Sequence, residues 1–542
     1  MKNNKTIIIL MPVLIAIFLA SGIYLGREMA YSNQPKRAIF SNHPFNENDK
    51  LNQVISYIKS DYVDTIKEKM IVEETINEIL QNLDPHSYYI PKSKFKAVND
   101  PLEGNFEGIG IEFRIKEDTV VVVRALAGGP SEKLGIMAGD RIVEVEEEGI
   151  TGSKINNQKV VKLLKGPKGS TVNVKIHREG STKLLDFAIQ RDEIPLYSID
   201  AVYMLNAKIG YLKVLRFAKS TYEEFQTAVS ELKEQGMEKL VIDLRNNGGG
   251  YLQSATKIAD EFLPEGKVIV YTEGKSRKRK NFYATNEGEL ESTEVAVLIN
   301  ENSASASEIL AGALQDNDMG YIVGRRSFGK GLVQEGVQWP DGSAMRLTVA
   351  RYYTPTGRSI QKPYDEGLDA YNNESYERFS NGELLSLDSI DFPDSLKYYT
   401  EKGKLVYGGG GIMPDYFVPL DTSNTSIYFG KLNYQGTFYQ FGFSYVDKNR
   451  EALSQEYNES NFLEEFQLDE KLMKRFYNFA EEKGIDYDEE GAEVASSIIK
   501  NRLKATIGRN LFGSDVFYQI VNQEDKVVDK AIDILSTKKS SS

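Results

Sequence analysis

The stretch VAVLINENSASASEIL, Val295 to Leu310, changes period twice. Val295 to Ile299 is an unbroken apolar run, the pattern of a strand buried on both faces. Asn300 to Ala304 is polar and small, and reads as a turn. Ser305 then opens an apolar-periodic helix that runs to Gln315. A hydroxyl at a helix start sits beside backbone N–H groups that have no helical partner, where developing negative charge is stabilised. Plain helix capping would also favour serine here, and Ser303 and Ser307 are rival nucleophiles on the same grounds. Outward from this unit, strand-like runs at Ala207 to Leu215, Lys239 to Leu244, Lys267 to Tyr271 and Tyr321 to Val323 alternate with helical runs at Thr221 to Gln235 and Leu252 to Phe262. That alternation predicts a layered α/β domain over residues 193–421.

Upstream, the pattern shortens. The glycine turn and strand FEGIGIEF (Phe106 to Phe113) leads into strand-like runs at Val120 to Ala125, Ala138 to Val145, Thr171 to His177 and Leu184 to Ile189. Short helices fit at Gly128 to Gly135 and Asn157 to Leu164. Strand, short helix, strand, helix, strand is the order of a PDZ module, here over residues 104–192. Residues 31–103 read as a linker, Asn33 to Asn42, and an N-terminal helical segment. In that segment Leu51, Val54, Ile55 and Ile58, then Ile71, Ile76, Ile79 and Leu80, recur at helical spacing, with a break near Asp64. The turn LDPHSYYI (Leu83 to Ile90) follows. Residues 422–542 are charged and helical in pattern, with a disordered polar tail from Lys538.

The first 30 residues stand apart. Thr6 to Gly26 is almost uninterrupted apolar sequence behind Lys2 and Lys5. It is long enough for a bilayer and has only a poor cleavage site near Ala20 to Gly22. It predicts an uncleaved signal anchor, with the rest of the chain outside the cytoplasm in the cell envelope, periplasmic by expectation, or secreted if the segment is cut. A net charge of −13 excludes a general nucleic-acid binder. The basic run Lys275 to Lys280 reads as a solvated loop between strands.

The chemistry narrows by elimination. The chain has no cysteine, and its histidines are His43, His86 and His177, none within the α/β region. That argues against thiol nucleophiles and a Ser-His-Asp triad. There is no metal-ligand motif, and no cofactor is expected. Lys330, in RSFGKG (Arg326 to Gly331), is flanked by apolar or backbone-permissive residues. A lysine turned inward can act as a base, because burial lowers its pKa. Gln334, four residues on, has an amide able to accept from that amine. The glycines of VIDLRNNGGG (Val241 to Gly250) let backbone N–H groups approach a substrate closely, as half of an oxyanion hole. This serine, this lysine and a peptide-binding module together suggest a peptidase.

These motifs resemble those of the carboxyl-terminal processing peptidases, also called tail-specific proteases. The resemblance spans Leu51 to Leu420 and rests on LDPHSYY, FEGIG, DLRNNGGG, NSASASEI, Gln315-Asp316, FGKGLVQ and GGGIMPD. It implies Ser305 as nucleophile, Lys330 as general base and Gln334 as the amide that orients the lysine. It implies oxyanion donors at the Ala306 N–H and one of Gly248, Gly249 and Gly250, and a supporting or structural role for Asp316. It implies a crotonase- or Clp-protease-like α/β core with an inserted PDZ domain. The substrate's free C-terminus would add as a strand, its carboxylate held near Phe106, Gly108, Ile109, Gly110 and Ile111. Substrates would be proteins with unstructured, apolar C-termini. A second copy of the chain or an adaptor are further expected partners. A catalytically silent PDZ adaptor and a crotonase-like acyl-CoA enzyme are the competing readings. The intact Ser305, Lys330 and Gln334 set argues against the first, and the PDZ module against the second.

Overall fold

A computed structural model describes residues 4–32, 47–126 and 128–537. The linker expected at Asn33 to Asn42 and the tail from Lys538 lie outside the described residues. The chain divides into two units, Met1–Thr75 and Ile76–Ser542. The first holds the helix Asn4–Ser32, with Pro12 inside it, and the helix Glu47–Asp61. Among the described residues no helix is long and apolar enough to cross a membrane. The helix Glu68–Gln81 runs across the division, so the break expected near Asp64 falls between two helices.

The larger unit is built on a six-stranded sheet. Its order is Ile199–Met204, Ile209–Val214, Lys239–Asp243, Glu294–Ile299, Tyr321–Gly324, Tyr416–Phe417, and all pairs but the first are parallel. The apolar runs are continuous because both faces are covered. Leu240, Ile242, Val295, Val297 and Ile299 face the helices Thr221–Glu234, Leu252–Asp260 and Ala306–Asp316. Val241, Ala296 and Leu298 point the other way, onto Val527, Val528, Ala531 and Leu535 of the helix Lys526–Ser536. The last helix of the chain is therefore the second cover of the central sheet.

A second, antiparallel sheet lies beside it. Ala344–Tyr353 pairs with Leu332–Gln338, with Val268–Gly274 and with Tyr88–Ile90. The turn LDPHSYYI thus contributes a strand to this sheet, although in sequence it follows directly on the N-terminal helices. The run Lys275 to Lys280 also departs from expectation. It is not a loop but the turn and start of the strand Arg277–Tyr283, where Arg277 pairs with Glu335 at 2.6 Å.

The PDZ-like module enters and leaves through one antiparallel pair, Asn105–Gly108 with Asp192–Pro195. Between them the strands Ile111–Lys116, Thr119–Ala125, Arg141–Val145, Thr171–His177 and Leu185–Gln190 form one sheet in which Ile111–Lys116 is an edge. Val120, Val122, Ile142, Val174 and Ile176 fill its core with Val160 and Leu164 of the helix Asn157–Leu164. After Ile427 the chain is helical, with an aromatic core that includes Phe438, Phe441, Phe462 and Phe476.

Candidate active site

Ser305 ends the turn after the strand Glu294–Ile299 and precedes the helix Ala306–Asp316. Its backbone is held at φ +56° and ψ −113°, a sparsely populated conformation that costs a side-chain-bearing residue about 1–3 kcal/mol. The rival serines are occupied. The Ser303 hydroxyl donates to the Leu244 carbonyl at 2.9 Å, and that of Ser307 to the Asn247 carbonyl at 2.9 Å; both are fully buried. Ser305 instead lines a cleft of about 670 Å³ together with Lys330, Gln334, Gly248, Gly249, Gly250 and Arg346.

The serine turn and the lysine loop are joined by one carboxylate. Glu308, wholly buried, accepts from Ser305 N at 2.7 Å and Lys330 N at 2.9 Å on one oxygen. The other accepts from Ser327 Oγ at 2.6 Å and Gly329 N at 2.7 Å. Burial pushes its pKa up, against these four hydrogen bonds. The Tyr352 hydroxyl adds a second tie, 2.8 Å from the Lys330 carbonyl and 3.2 Å from that of Ser305. Ser305 and Lys330 are 25 residues apart in sequence but share these two anchors.

Lys330 is half-buried, and its pKa is lowered, first by burial and then by the Arg346 cation; Glu308 and Asp84 oppose the shift. Gln334 follows a bulge between Val333 and Gln334, and its Nε2 donates to Thr348 Oγ1 at 3.1 Å. It does not bond to the lysine here. Thr348 Oγ1 donates in turn to Asp84 at 3.0 Å, and Asp84 also accepts from Ser87 Oγ and from the backbone of His86 and Ser87. LDPHSYYI is therefore tied to Gln334 through Thr348, outside the cleft lining. His86, set aside on sequence position, comes near Lys330: its Nε2 lies 2.8 Å from the Tyr371 hydroxyl, and its pKa falls to about 4 through burial and that lysine's charge. Among the described residues it makes no hydrogen bond to Ser305.

The glycine loop reaches the serine from the neighbouring strand. A Cβ on Gly249 (φ +98°) would lie 2.7 Å from Ser305 Cβ and 2.9 Å from Ala306 N, so only glycine fits. The Gly249 N–H donates to Asn247 Oδ1 at 2.9 Å, while Gly248 faces open space. Asn246 and Asn300 exchange hydrogen bonds at 2.9 and 3.0 Å and so stitch the loop to the serine turn. Sequence reasoning missed these asparagines. Their signal was the NN before the glycines and the N after the strand.

Asp316 is remote from the cleft lining. It is fully buried against Arg358 at 2.7 Å and accepts from the Thr356 hydroxyl, also at 2.7 Å, at the far end of the serine helix. In the PDZ-like module Gly108, Ile109, Gly110 and Ile111 form the turn into the edge strand, and Gly110 needs its positive φ of +73°. Phe106 is displaced from that turn. It sits in the entry strand opposite Ile194, with Lys165 Nζ 4.6 Å from its ring centre. Among the described residues no group of three or more His, Asp or Glu could hold a metal ion.

Residues 208–368 match peptidase family S41, residues 108–189 match a PDZ domain, and residues 428–513 match a family of unknown function, DUF8443. A carboxy-terminal-processing protease of Bartonella bacilliformis is 34% identical over 350 residues, 64% of this chain and 80% of that protein. The carboxy-terminal processing protease CtpB of Bacillus subtilis is 33% identical over 377 residues, 68% of this chain and 78% of that protein. Among solved structures, the photosystem II D1 C-terminal processing protease is 31% identical, covering 57% of this chain and 83% of its own, with a TM-score of 0.33. With its α/β peptidase region, its PDZ domain and this degree of likeness, the chain belongs to the carboxy-terminal processing proteases, serine peptidases of family S41.

Proposed function

We propose that Ser305 is the nucleophile and Lys330 the general base of this C-terminal processing protease. The observation that carries the reading is the pair of ties, Glu308 and Tyr352, that hold both residues in one cleft. The neutral Lys330 amine takes the proton as Ser305 Oγ attacks the scissile carbonyl. The ammonium then gives that proton to the leaving amine, and water hydrolyses the acyl-enzyme by the reverse sequence. The Ala306 N–H, first in its helix and without an intrahelical acceptor, is one oxyanion donor. Gly248 is the favoured second, because the Gly249 N–H is already given to Asn247. Gln334 orients the lysine by turning from Thr348 toward it when substrate enters. Asp316 has a structural role. The parallel sheet with its crossover helices supports a crotonase- or Clp-like core.

The PDZ domain captures the substrate's C-terminal tail on the free edge of Ile111–Lys116, with the carboxylate at the turn Gly108 to Ile111. Substrates are proteins with unstructured, apolar C-termini. A peptide offered as free acid is expected to be cleaved at least about tenfold faster than its amide, the loss expected for charge-assisted hydrogen bonds. Competition kinetics on one peptide in both forms measures this, and equal rates would exclude carboxylate capture. The apolar run Thr6 to Gly26 behind Lys2 and Lys5 supports attachment to a membrane, with the protease outside the cytoplasm. Fractionation of cells expressing the full chain or a chain begun at residue 31 tests it. Recovery of the full chain in the soluble fraction would end that proposal.

A further inference from the structure

The helical region after Ile427 touches the PDZ domain at one end and the central sheet at the other. The helix Thr437–Glu456 carries Tyr439, Phe443 and Asp447 at four-residue spacing, hence on one stripe. That stripe lies on the outer face of the PDZ hairpin. The Arg114 guanidinium sits 3.2 Å from the Tyr439 ring centre, and the Tyr439 hydroxyl donates to Glu112 at 3.2 Å. Phe443 packs with Val121 and Val123 in a separate small apolar cluster. The Asp447 carboxylate, 4% exposed, binds Lys116 at 2.9 Å and Arg141 at 3.3 Å. Ile111, Phe113, Ile115, Val120 and Val122 point inward to the domain's own core. The run of four valines, Val120 to Val123, is thus explained. Two serve the PDZ core and two serve the docked helix.

At the other end the region grips the peptidase sheet. Asp515 accepts from Val202 N at 2.9 Å, Ser514 Oγ donates to Asp200 at 2.8 Å, and Asn522 donates to the Tyr203 hydroxyl at 2.7 Å. Asp525, capping the last helix, receives Arg245 at 2.7 Å. Arg245 is the arginine of the glycine loop, and it also grips Asp243.

We propose that this C-terminal helical region, of which residues 428–513 match the family of unknown function, is a bracket that holds the PDZ domain by its outer sheet face at a fixed bearing to the serine cleft. Its partner is the chain's own PDZ domain. The docked face is not the tail-binding edge: among the described residues Ile111–Lys116 keeps one edge unpaired. A tail bound on that edge then meets the cleft from one direction only. The functional arm of this inference rests on tail capture by the PDZ domain; the docking arm does not.

The chain has no cysteine, so a single introduced thiol reports docking. Val123→Cys places a thiol beneath the bracket, and Val122→Cys places one in the PDZ core. Maleimide labelling should be slow at both. Adding Asp447→Arg, which sets a cation against Lys116 and Arg141, should speed labelling at position 123 at least about a hundredfold, the lower end for a broken buried ion pair, and leave position 122 slow. The same Asp447→Arg change should slow cleavage of a protein with an unstructured apolar tail at least about tenfold while a short tail-less peptide is cleaved within about twofold of native. If both thiols become reactive, the PDZ domain has unfolded, and Tyr439→Ala is read instead. Fast labelling at position 123 without Asp447→Arg overturns the docking. Release with tail-bearing cleavage unchanged overturns the bracket, and a rise in peptide cleavage makes the contact an inhibitory clamp instead. If acid and amide peptides are cleaved equally, tail capture fails while the labelling result stands.

Discussion

Ser305→Ala is expected to remove peptide hydrolysis, a loss of roughly 10⁴-fold or more in kcat, with the fold intact. The ties of Ser305 to neighbouring segments are made by its backbone, and its hydroxyl closes a capping box onto the Glu308 N–H of its own helix. Its N–H donates to Glu308, and its carbonyl accepts from Tyr352 and Ile309. Alanine keeps both groups, and it meets the same strain at φ +56° that serine already bears. Stability should therefore fall by only about 1 kcal/mol, the usual loss when an N-cap hydroxyl is removed. Ser303→Ala provides the contrast. Its buried hydroxyl accepts from Asn300 N and donates to the Leu244 carbonyl, so its loss should lower the melting temperature and leave much of the rate. Single-turnover cleavage beside thermal unfolding separates the two. A Ser305→Ala enzyme retaining a rate within about tenfold of native would sink the assignment.

Much of this contrast was legible in the sequence, but not which serine matters. Val295 to Ile299 read as a buried strand because its sheet is covered twice, and Ser305 read as a helix opener because the apolar period resumes at Ile309. Spacing could not separate Ser303, Ser305 and Ser307. That needed the loop Leu244 to Asn247, some 60 residues away, whose carbonyls occupy the outer two hydroxyls. Glu308 was equally visible as a residue and invisible as a role. A glutamate in a first helical turn usually serves the helix end. Here its four donors come from the serine turn and from Ser327 to Lys330, a meeting that only tertiary structure reveals.

His86 and Phe106 sit in places that sequence position does not reveal. His86 was judged by its distance in sequence from the α/β region, yet Tyr88–Ile90 joins the antiparallel sheet and carries the turn to Lys330. Phe106 was grouped with the glycines that follow it, but strand pairing with Ile194 ends the module's entry only at Gly108. The C-terminal region was open from sequence because a helical pattern reports an apolar stripe and not what it covers. Its last helix covers the peptidase sheet, a contact made some 230 residues along the chain from Ala296 and Leu298.

Lys330→Ala and Lys330→Arg are both expected to lose about 10³-fold or more in kcat/KM, near the upper range for a general base. Arginine keeps the charge and most of the length, so it tests for the proton and not the cation. It cannot lose its proton at working pH. The pH profile gives the sign. Burial and the Arg346 cation lower the Lys330 pKa, so the neutral, competent amine appears at a lower pH than for a free lysine near 10.4. Activity should rise with pH through that depressed value, with the acid limb reporting Lys330. Removing the second cause by Arg346→Met weakens the depression, and the acid limb should move to higher pH. Asp84→Asn removes an opposing negative charge and should move it to lower pH, though Asp84 also orders His86 and Ser87, so the limb and not the absolute rate is the readout. Gln334→Ala should be impaired but not inactive, because its amide is bonded to Thr348 and not to the lysine. An active Lys330→Arg enzyme, or an acid limb that moves neither with Arg346→Met alone nor with Asp84→Asn alone, would refute a deprotonated lysine as the base.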